Sequence, residues 1–164
     1  MTIYSFPPLT GFEARVLVLG SMPGKASLRA QQYYAHPRNL FWKLSAEVLG
    51  FALPEAYDQR LAALRSHGVV LWDVLQSCSR ESSQDSDIDA ATAVPNDFAT
   101  FFAAHPNIRR VCFNGAAAGA LYARHVRPEL PALAVEYRQL PSSSPANASV
   151  PWADKLRAWQ ALRY

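Results

Sequence analysis

Cysteine is scarce in this chain, which has only Cys78 and Cys112 among its 164 residues. Neither cysteine has a Cys-x-x-Cys or Cys-x-x-x-His context. The pair therefore predicts reduced, packed thiols in a cytosolic protein, not a disulfide framework or a zinc site. No apolar run reaches the roughly 18 residues of a membrane-spanning helix, and residues 1–10 lack the pattern of a secretory signal. We therefore expect no membrane partner.

Several catalytic signatures are also missing. The chain has no Gly-x-Ser-x-Gly elbow of a serine hydrolase and no phosphate-binding loop of the type found in nucleoside triphosphatases. Asp85 and Asp87 lie close together, but no further ligands flank them at a recognisable spacing. A solvated acidic loop is therefore the preferred interpretation. We expect neither a metal nor another cofactor.

Length and composition favour one folded domain. A chain of 164 residues, half of them hydrophobic, can bury a single sizeable core and does not have the composition of a disordered protein. There is no internal repeat and no linker, so we predict a single domain over residues 1–164 and expect a monomer. The net charge of +3 is compatible with phosphate contacts but does not by itself indicate them.

Short apolar runs alternate with segments of helical spacing. Strands are predicted over residues 14–20, 68–75, 109–113 and 134–140, and helices over residues 39–49, 54–66, 95–105, 116–125 and 152–164. The segment 76–95 is expected to be a long ordered loop or a mobile flap. The alternation predicts an α/β fold, a three-layer α/β/α sandwich around a mostly parallel four-stranded sheet. Trp42 and Trp72 are assigned to its core.

Three segments carry the residues that suggest chemistry. Residues 33–42 combine two tyrosines, a histidine and an asparagine, and two loops, 20–24 and 140–145, follow predicted strands. The carboxyl ends of parallel strands share one rim, so we expect these segments to gather there. Aromatic rings and an amide suit stacking on a flipped base and hydrogen bonding to its edge, whereas small hydroxyl residues suit DNA phosphates. Such a site could hydrolyse an N-glycosidic bond without a strong nucleophile.

Taken together, the three segments resemble motifs of the uracil-DNA glycosylase superfamily, above all its mismatch-specific uracil and thymine-DNA glycosylase branch. Residues 36–43 match the pattern His-Pro-x-Asn-x-Phe-Trp-Lys throughout. Residues 140–144 are similar to the DNA-facing Pro-Ser-Ser-Ser loop of that branch, and residues 111–115 to its third strand and strand exit. The resemblance extends from Val16 to Trp159 and implies a fold like that of uracil-DNA glycosylase.

The first motif departs from that branch at one important position. Residues 20–24 read Gly-Ser-Met-Pro-Gly where the branch has Gly-Ile-Asn-Pro-Gly, so the usual water-orienting residue falls at Met22. A thioether is at best a weak acceptor and cannot orient water. This version of the motif resembles the hypoxanthine-DNA glycosylase family, also described as DNA-deoxyinosine glycosylases. In that family the asparagine of the second motif is taken as catalytic, which implies that Asn39 is the catalytic residue here.

Further roles are hypotheses with structural alternatives. Asn39 is expected to orient the attacking water or to contact the sugar and base, and it could also cap the helix that follows it. Tyr34 is expected to stack on the base, or else to be a core tyrosine. His36 could donate to the base or a phosphate, or fix its own loop. Asn114 could read the base edge or serve as a turn residue. The remaining base-pocket residues are expected to be Ser21, Met22 and Pro23.

The serine-rich loop is expected to face DNA. Ser142, Ser143 and Ser144 are predicted to contact the phosphates that flank the lesion. In thymine-DNA glycosylases an arginine shortly after the triple serine fills the hole that the flipped base leaves. The matching residue here is Ala146, which is too small, and Pro145 or Asn147 could take that place.

The sequence therefore predicts a monofunctional DNA glycosylase that excises a deaminated base, with hypoxanthine as the first choice. One alternative is a uracil or G/T mismatch glycosylase on the same scaffold. Another is a catalytically inactive protein that binds damaged DNA. This alternative remains because Met22 stands at the position of the usual water-orienting residue. The expected partner is double- or single-stranded DNA that contains a deaminated base. The expected location is the cytoplasm, with nucleoid association if the source is prokaryotic.

Overall fold

The computed structural model describes all residues from Met1 to Tyr164. In chain order the elements are β1 (Thr2–Tyr4), β2 (Val16–Gly20), α1 (Lys25–Ala30), α2 (Phe41–Leu49), α3 (Tyr57–Ser66), β3 (Val69–Asp73), β4 (Leu75–Ser79), β5 (Val94–Pro95), α4 (Phe98–Ala104), β6 (Arg110–Asn114), α5 (Ala116–His125), β7 (Glu136–Leu140) and α6 (Trp152–Trp159). Short 3₁₀ turns lie at Asp85–Asp87, Ala90–Thr92, Arg127–Glu129, Pro145–Asn147 and Gln160–Leu162.

The four most strand-like runs of the sequence form one parallel sheet in the order β3-β2-β6-β7. Every residue of β2 and β3 is buried, whereas only the last residue of the edge strand β7 is buried. Successive side chains of a strand point to opposite faces, so a strand buried at every position must be covered on both faces. The prediction of an α/β fold with a parallel four-stranded sheet is confirmed.

A second, antiparallel sheet of order β1-β4-β5 was not predicted. The predicted strand 68–75 leaves the parallel sheet at Asp73, and the chain continues as β4 in the other sheet. The change of sheet is held by the backbone, since the Val74 and Leu75 amides bind the carbonyls of Gly20 and Ser21. Strand β4 pairs with the amino-terminal strand β1 on one side and with β5 on the other. The expectation of a loop over residues 76–95 was therefore wrong for residues 76–79 and 94–95.

Five of the six helices were predicted, and α1 was not. Helix α5 has the predicted bounds, and α4 begins after Asp97, whose side chain accepts from the Thr100 amide. Helix α3 begins at Tyr57 instead of residue 54, and α2 begins at Phe41 instead of residue 39. Both helices start later than predicted because the residues before them form loops, and the loop before α2 carries the site.

The core lies on the faces of the parallel sheet. Trp159, Tyr122 and Phe41 are among its largest fully buried side chains, and Trp42 and Trp72 are buried as predicted. Both cysteines are buried and free, which confirms the prediction of packed thiols. No helix has the length and apolar character that crossing a membrane requires.

Candidate active site

The carboxyl ends of the parallel strands border a cavity of about 170 Å³. Residues 20–24 follow β2, Asp73 ends β3, Asn114 ends β6, and residues 142–145 follow β7, and all of them line this cavity. Tyr34, His36 and Asn39 line it as well. The three segments singled out in the sequence therefore meet on one rim, as expected. Of the predicted site residues, only Ala146 and Asn147 lie outside the lining.

Gly20 allows two polar side chains to approach the end of β2. A Cβ atom at this position would lie 2.6 Å from Asp73 Oδ1 and 3.2 Å from the Tyr34 hydroxyl oxygen. A contact of 2.6 Å is shorter than real Cβ atoms accept, so only glycine fits unless Asp73 moves. The next two residues, Ser21 and Met22, are buried. This loop thus forms the floor of the cavity.

Tyr34 has an unusual backbone and an unpaired hydroxyl. Its φ angle is +55°, a left-handed conformation that is rare outside glycine and that clusters at functional sites. Its ring stacks on Phe41 with the centroids 4.0 Å apart, so one face of the ring is covered. Its hydroxyl is buried and has no hydrogen-bond partner. Tyr34 thus packs against the core and also lines the cavity.

His36 partly fixes its own loop. Its Nδ1 accepts a hydrogen bond of 3.1 Å from the Arg38 amide. A neutral imidazole that accepts at Nδ1 carries its proton on Nε2, so Nε2–H remains as a donor. The two interpretations of this histidine are therefore compatible.

Asn39 presents donors, and not an acceptor, to the cavity. Its Oδ1 accepts from the Phe41 amide at 2.9 Å and from the Ser143 hydroxyl at 2.8 Å. An amide oxygen has two lone pairs, and these two bonds occupy both of them. Its Nδ2 group keeps two N–H donors. Asn39 thus supports the start of α2 and also provides a fixed donor group at the cavity.

Ser143 connects the two amides of the site. Its hydroxyl donates to Asn39 and accepts from Asn114 Nδ2 at 2.9 Å, while its backbone amide donates to Asn114 Oδ1 at 2.9 Å. Its side chain is fully buried. The Ser143 hydroxyl is therefore engaged within the protein, and the predicted contact of Ser143 with DNA phosphates stays a prediction. Asn114 is likewise tied to this loop through both ends of its amide.

The flanking serines keep a free proton. Ser142 Oγ accepts from the Ser144 amide at 3.1 Å, and Ser144 Oγ accepts from the Ala146 amide at 3.2 Å. Each hydroxyl therefore still has its own O–H to donate, and both residues are only partly buried. Ala146 is exposed, and Asn147 Nδ2 donates to the Ser142 carbonyl at 3.1 Å. Neither residue extends into the cavity.

Asp73 is a site residue that sequence reasoning missed, since it was assigned to the interior of an apolar strand. It is only 4% exposed, and its Oδ2 is buried without a hydrogen-bond partner. Burial raises the pKa of Asp73 to about 7, with a further rise from Asp85 and an opposing effect of Arg80. The sequence did contain an indication of this role. Asp73 is an acidic residue after an apolar strand, and the carboxyl ends of parallel strands form the rim where ligands bind.

Asp85 and Asp87 are exposed, as expected of a solvated acidic loop, and Ser83 and Asp85 also form a wall of the cavity. Ser21 donates to the Asp85 carboxylate, and the Lys25 amide donates to Ser83 Oγ at 2.9 Å. Arg80 is buried and donates to the Pro23 carbonyl at 2.6 Å. Segment 80–85 therefore holds the first motif in place. The sequence did not reveal this role, because the contacts span about sixty residues.

Replacing Ser143 with alanine is expected to destabilise the protein by about 1–3 kcal/mol, because it leaves polar atoms of Asn39 and Asn114 without their partner. Urea denaturation measures the change. Ser144→Ala is the matched control, since that partly buried hydroxyl accepts a single bond within its own loop. Equal losses in the two variants would contradict the connecting role of Ser143.

Fold and site together define a protein that presents amides, hydroxyls and an aromatic ring in a cavity beside a serine-rich loop. The profile of the Uracil DNA glycosylase superfamily matches residues 7–163. A solution NMR structure from Methanosarcina acetivorans, provisionally named a uracil DNA glycosylase, superposes with a TM-score of 0.82 and 35% identity and covers 99% of both chains. The chain therefore belongs to the uracil DNA glycosylase superfamily.

Within this class, the chain is similar to two curated proteins named hypoxanthine DNA glycosylase. The protein of Methanosarcina acetivorans is 40% identical and that of Methanosarcina barkeri 38% identical, each over 143 residues, which is 87% of this chain and 86% of the relative. The resemblance stated from the motifs is confirmed. The protein is a DNA glycosylase, a hydrolase of N-glycosyl bonds, and its substrate is DNA that contains a damaged base.

Proposed function

We propose that the protein removes hypoxanthine from DNA by hydrolysing the bond between N9 of the base and C1′ of deoxyribose. The observation that carries this proposal is the Asn39 amide at the lining of the cavity, whose oxygen is held by two hydrogen bonds and whose Nδ2 donors have no partner within the protein. The names of the two relatives support hypoxanthine as the base.

In the proposed reaction the bond electrons leave with the base, and water adds to C1′. The base gains negative charge and the sugar develops oxocarbenium character, so donors fixed beside the base stabilise the transition state. Asn39 Nδ2 supplies such donors, either to the leaving base or to the oxygen of the attacking water. Its Oδ1 has no lone pair left to accept a proton of that water. Asn39 is therefore proposed to act as a donor.

The remaining residues are proposed to hold the substrate. Tyr34, His36 and Asn114, with the loop residues Ser21, Met22 and Pro23, would enclose the base. Ser142 and Ser144 keep free O–H donors for phosphate oxygens, whereas Ser143 positions the two amides. Ala146, Pro145 and Asn147 were considered for filling the hole that the flipped base leaves. Of these, only Pro145 lines the cavity.

We propose that the site is formed by one chain and uses no cofactor. We accordingly propose a monomer that folds as a single domain. Gel filtration of the free protein and of its complex with DNA tests the monomer directly.

An excision assay tests the proposed function. The pure protein is incubated with end-labelled duplexes that contain deoxyinosine, uracil or a G/T pair, and alkali then cleaves abasic sites. Product is expected on deoxyinosine at the highest rate. Faster cleavage of uracil would favour a uracil glycosylase, which is the name given to the NMR neighbour. Absence of product on all three duplexes would contradict the proposal.

A further inference from the structure

Asp73 has no task in the reaction proposed above, although it lines the same cavity. Its Oδ2 is buried and unpaired, and its Oδ1 and the Tyr34 hydroxyl both lie within 3.2 Å of the position that a Cβ atom of Gly20 would take. Buried polar groups are normally hydrogen-bonded, and an exception at a binding cavity indicates groups that await a ligand. The Asp73 side chain, which lines the cavity and carries an unpaired oxygen, thus points to a polar edge of the bound base.

We propose that Asp73 recognises the base in its neutral, protonated form by binding the lactam edge that deamination creates. In hypoxanthine this edge is N1–H beside the O6 carbonyl. The inference rests on the proposed function and names the group that would read the base. It assigns Asp73 to base recognition, which is a task distinct from that of Asn39.

The charge state follows from what surrounds the carboxyl group. Asp73 forms no ion pair. Arg80, whose charge lowers the pKa of Asp73, donates instead to the carbonyls of Pro23 and Ser82. Burial and the carboxylate of Asp85 both raise its pKa, which reaches about 7. The titratable or charged groups that face it or line its cavity are Tyr33, Tyr34, Arg80, Asp85, His36 and Lys25.

The donors and acceptors of the two charge states explain why the neutral form of Asp73 suits the lactam edge. A carboxylate only accepts, so it would bind N1–H but repel the O6 lone pairs. A carboxylic acid has one donor and one acceptor and can bind both atoms of the lactam. A buried acid that stays neutral to act as a donor is an established arrangement in enzyme sites. Uracil presents the same pair of groups at N3–H and O4.

The test is the pH profile of single-turnover excision on the deoxyinosine duplex between pH 6 and 8. The rate of the unaltered protein is expected to approach a tenfold fall per pH unit above the pKa of Asp73. Asp73→Asn should stay within about tenfold of the unaltered rate at pH 6 and give a flat profile, because an amide mimics the neutral acid. Asp73→Ala should lose about 100-fold at pH 6, in line with the loss of an essential hydrogen-bond donor, and should also give a flat profile.

Two outcomes would overturn the proposal. A rate that rises with pH and is abolished in Asp73→Asn would make Asp73 an ionised base. Unchanged excision by a folded Asp73→Ala variant would make the residue structural. If the unaltered protein cleaves only uracil, the proposed function fails. The pH profiles of the unaltered protein and the two Asp73 variants on uracil, which has the same edge, then still decide the role of Asp73.

A binding measurement makes the proposal independent of turnover. Affinity for a duplex that carries the uncleavable 2′-fluoro analogue of deoxyinosine is measured by fluorescence anisotropy at pH 6 and 8. Binding by the unaltered protein is expected to weaken at pH 8, whereas binding by Asp73→Asn should not. Parallel pH dependence in both proteins would contradict the proposal even if no duplex is cleaved.

Discussion

Replacing Asn39 with alanine is expected to slow base excision about 100- to 1,000-fold, the usual cost of losing one positioned donor in an active site. The Nδ2 group is fixed because Oδ1 is bound on two sides, by the Phe41 amide and by the Ser143 hydroxyl. A donor fixed in this way need not reorganise as charge develops on the leaving base. Single-turnover rates with the deoxyinosine duplex measure the effect.

The matched control separates the two roles of this side chain. Asn39→Asp keeps an acceptor for the Phe41 amide and the Ser143 hydroxyl, but it replaces the donor group by a second acceptor oxygen. We expect this variant to keep its fold and to be as slow as the alanine variant. Near-normal excision by Asn39→Asp would show that the asparagine serves only the start of α2.

Replacing Asp73 with asparagine is expected to stabilise the folded protein at pH 8 by as much as about 4 kcal/mol, which corresponds to about three pKa units. The pKa of Asp73 is 3.8 when unfolded and about 7 when folded. Between these values the folded state holds a proton that the unfolded state has released, so stability falls as pH rises from about 4 to about 7. Above pH 7 the cost remains, and asparagine avoids it because it does not ionise.

Urea denaturation at pH 5 and at pH 8 measures this effect. The advantage of Asp73→Asn over the unaltered protein should be larger at pH 8. The exposed Asp154 on α6 offers a control, since Asp154→Asn is expected to change stability by less than about 0.5 kcal/mol at both pH values. An advantage that is the same at pH 5 and pH 8 would mean that the Asp73 carboxyl group is not neutral in the folded state near pH 5. A residue that lowers stability at neutral pH, as Asp73 is expected to do, fits a role in activity better than a role in stability.

Local patterns in the sequence were sufficient for the parallel sheet. Residues 16–20, 69–72 and 111–113 form apolar runs because a strand covered on both faces must be apolar where it is buried. The antiparallel sheet was missed for the complementary reason. Its strands pair residues 2–4 with 77–79, and short, partly exposed strands have no distinctive pattern until their partners are known.

The motifs identified the class and most of the cavity lining, because residue types alone distinguish amides, hydroxyls and aromatic rings. They did not distinguish one serine from the next. Ser142 and Ser144 keep free hydroxyl protons, whereas Ser143 is fully buried between Asn39 and Asn114. Three identical residues in a row take different roles because successive side chains of a loop point in different directions.

By itself, the sequence determined the α/β class and the superfamily, and it singled out Asn39 as a candidate, since these depend on residue type, order and spacing. Only the tertiary structure decided what Asn39 can do and that Asp73 belongs to the site. The hydrogen bond that occupies the Asn39 oxygen comes from a residue 104 positions away. The charge state of Asp73 depends on burial beneath the loop that follows β2 and on a carboxylate from another turn. Distances and burial of this kind arise only when the strands have assembled.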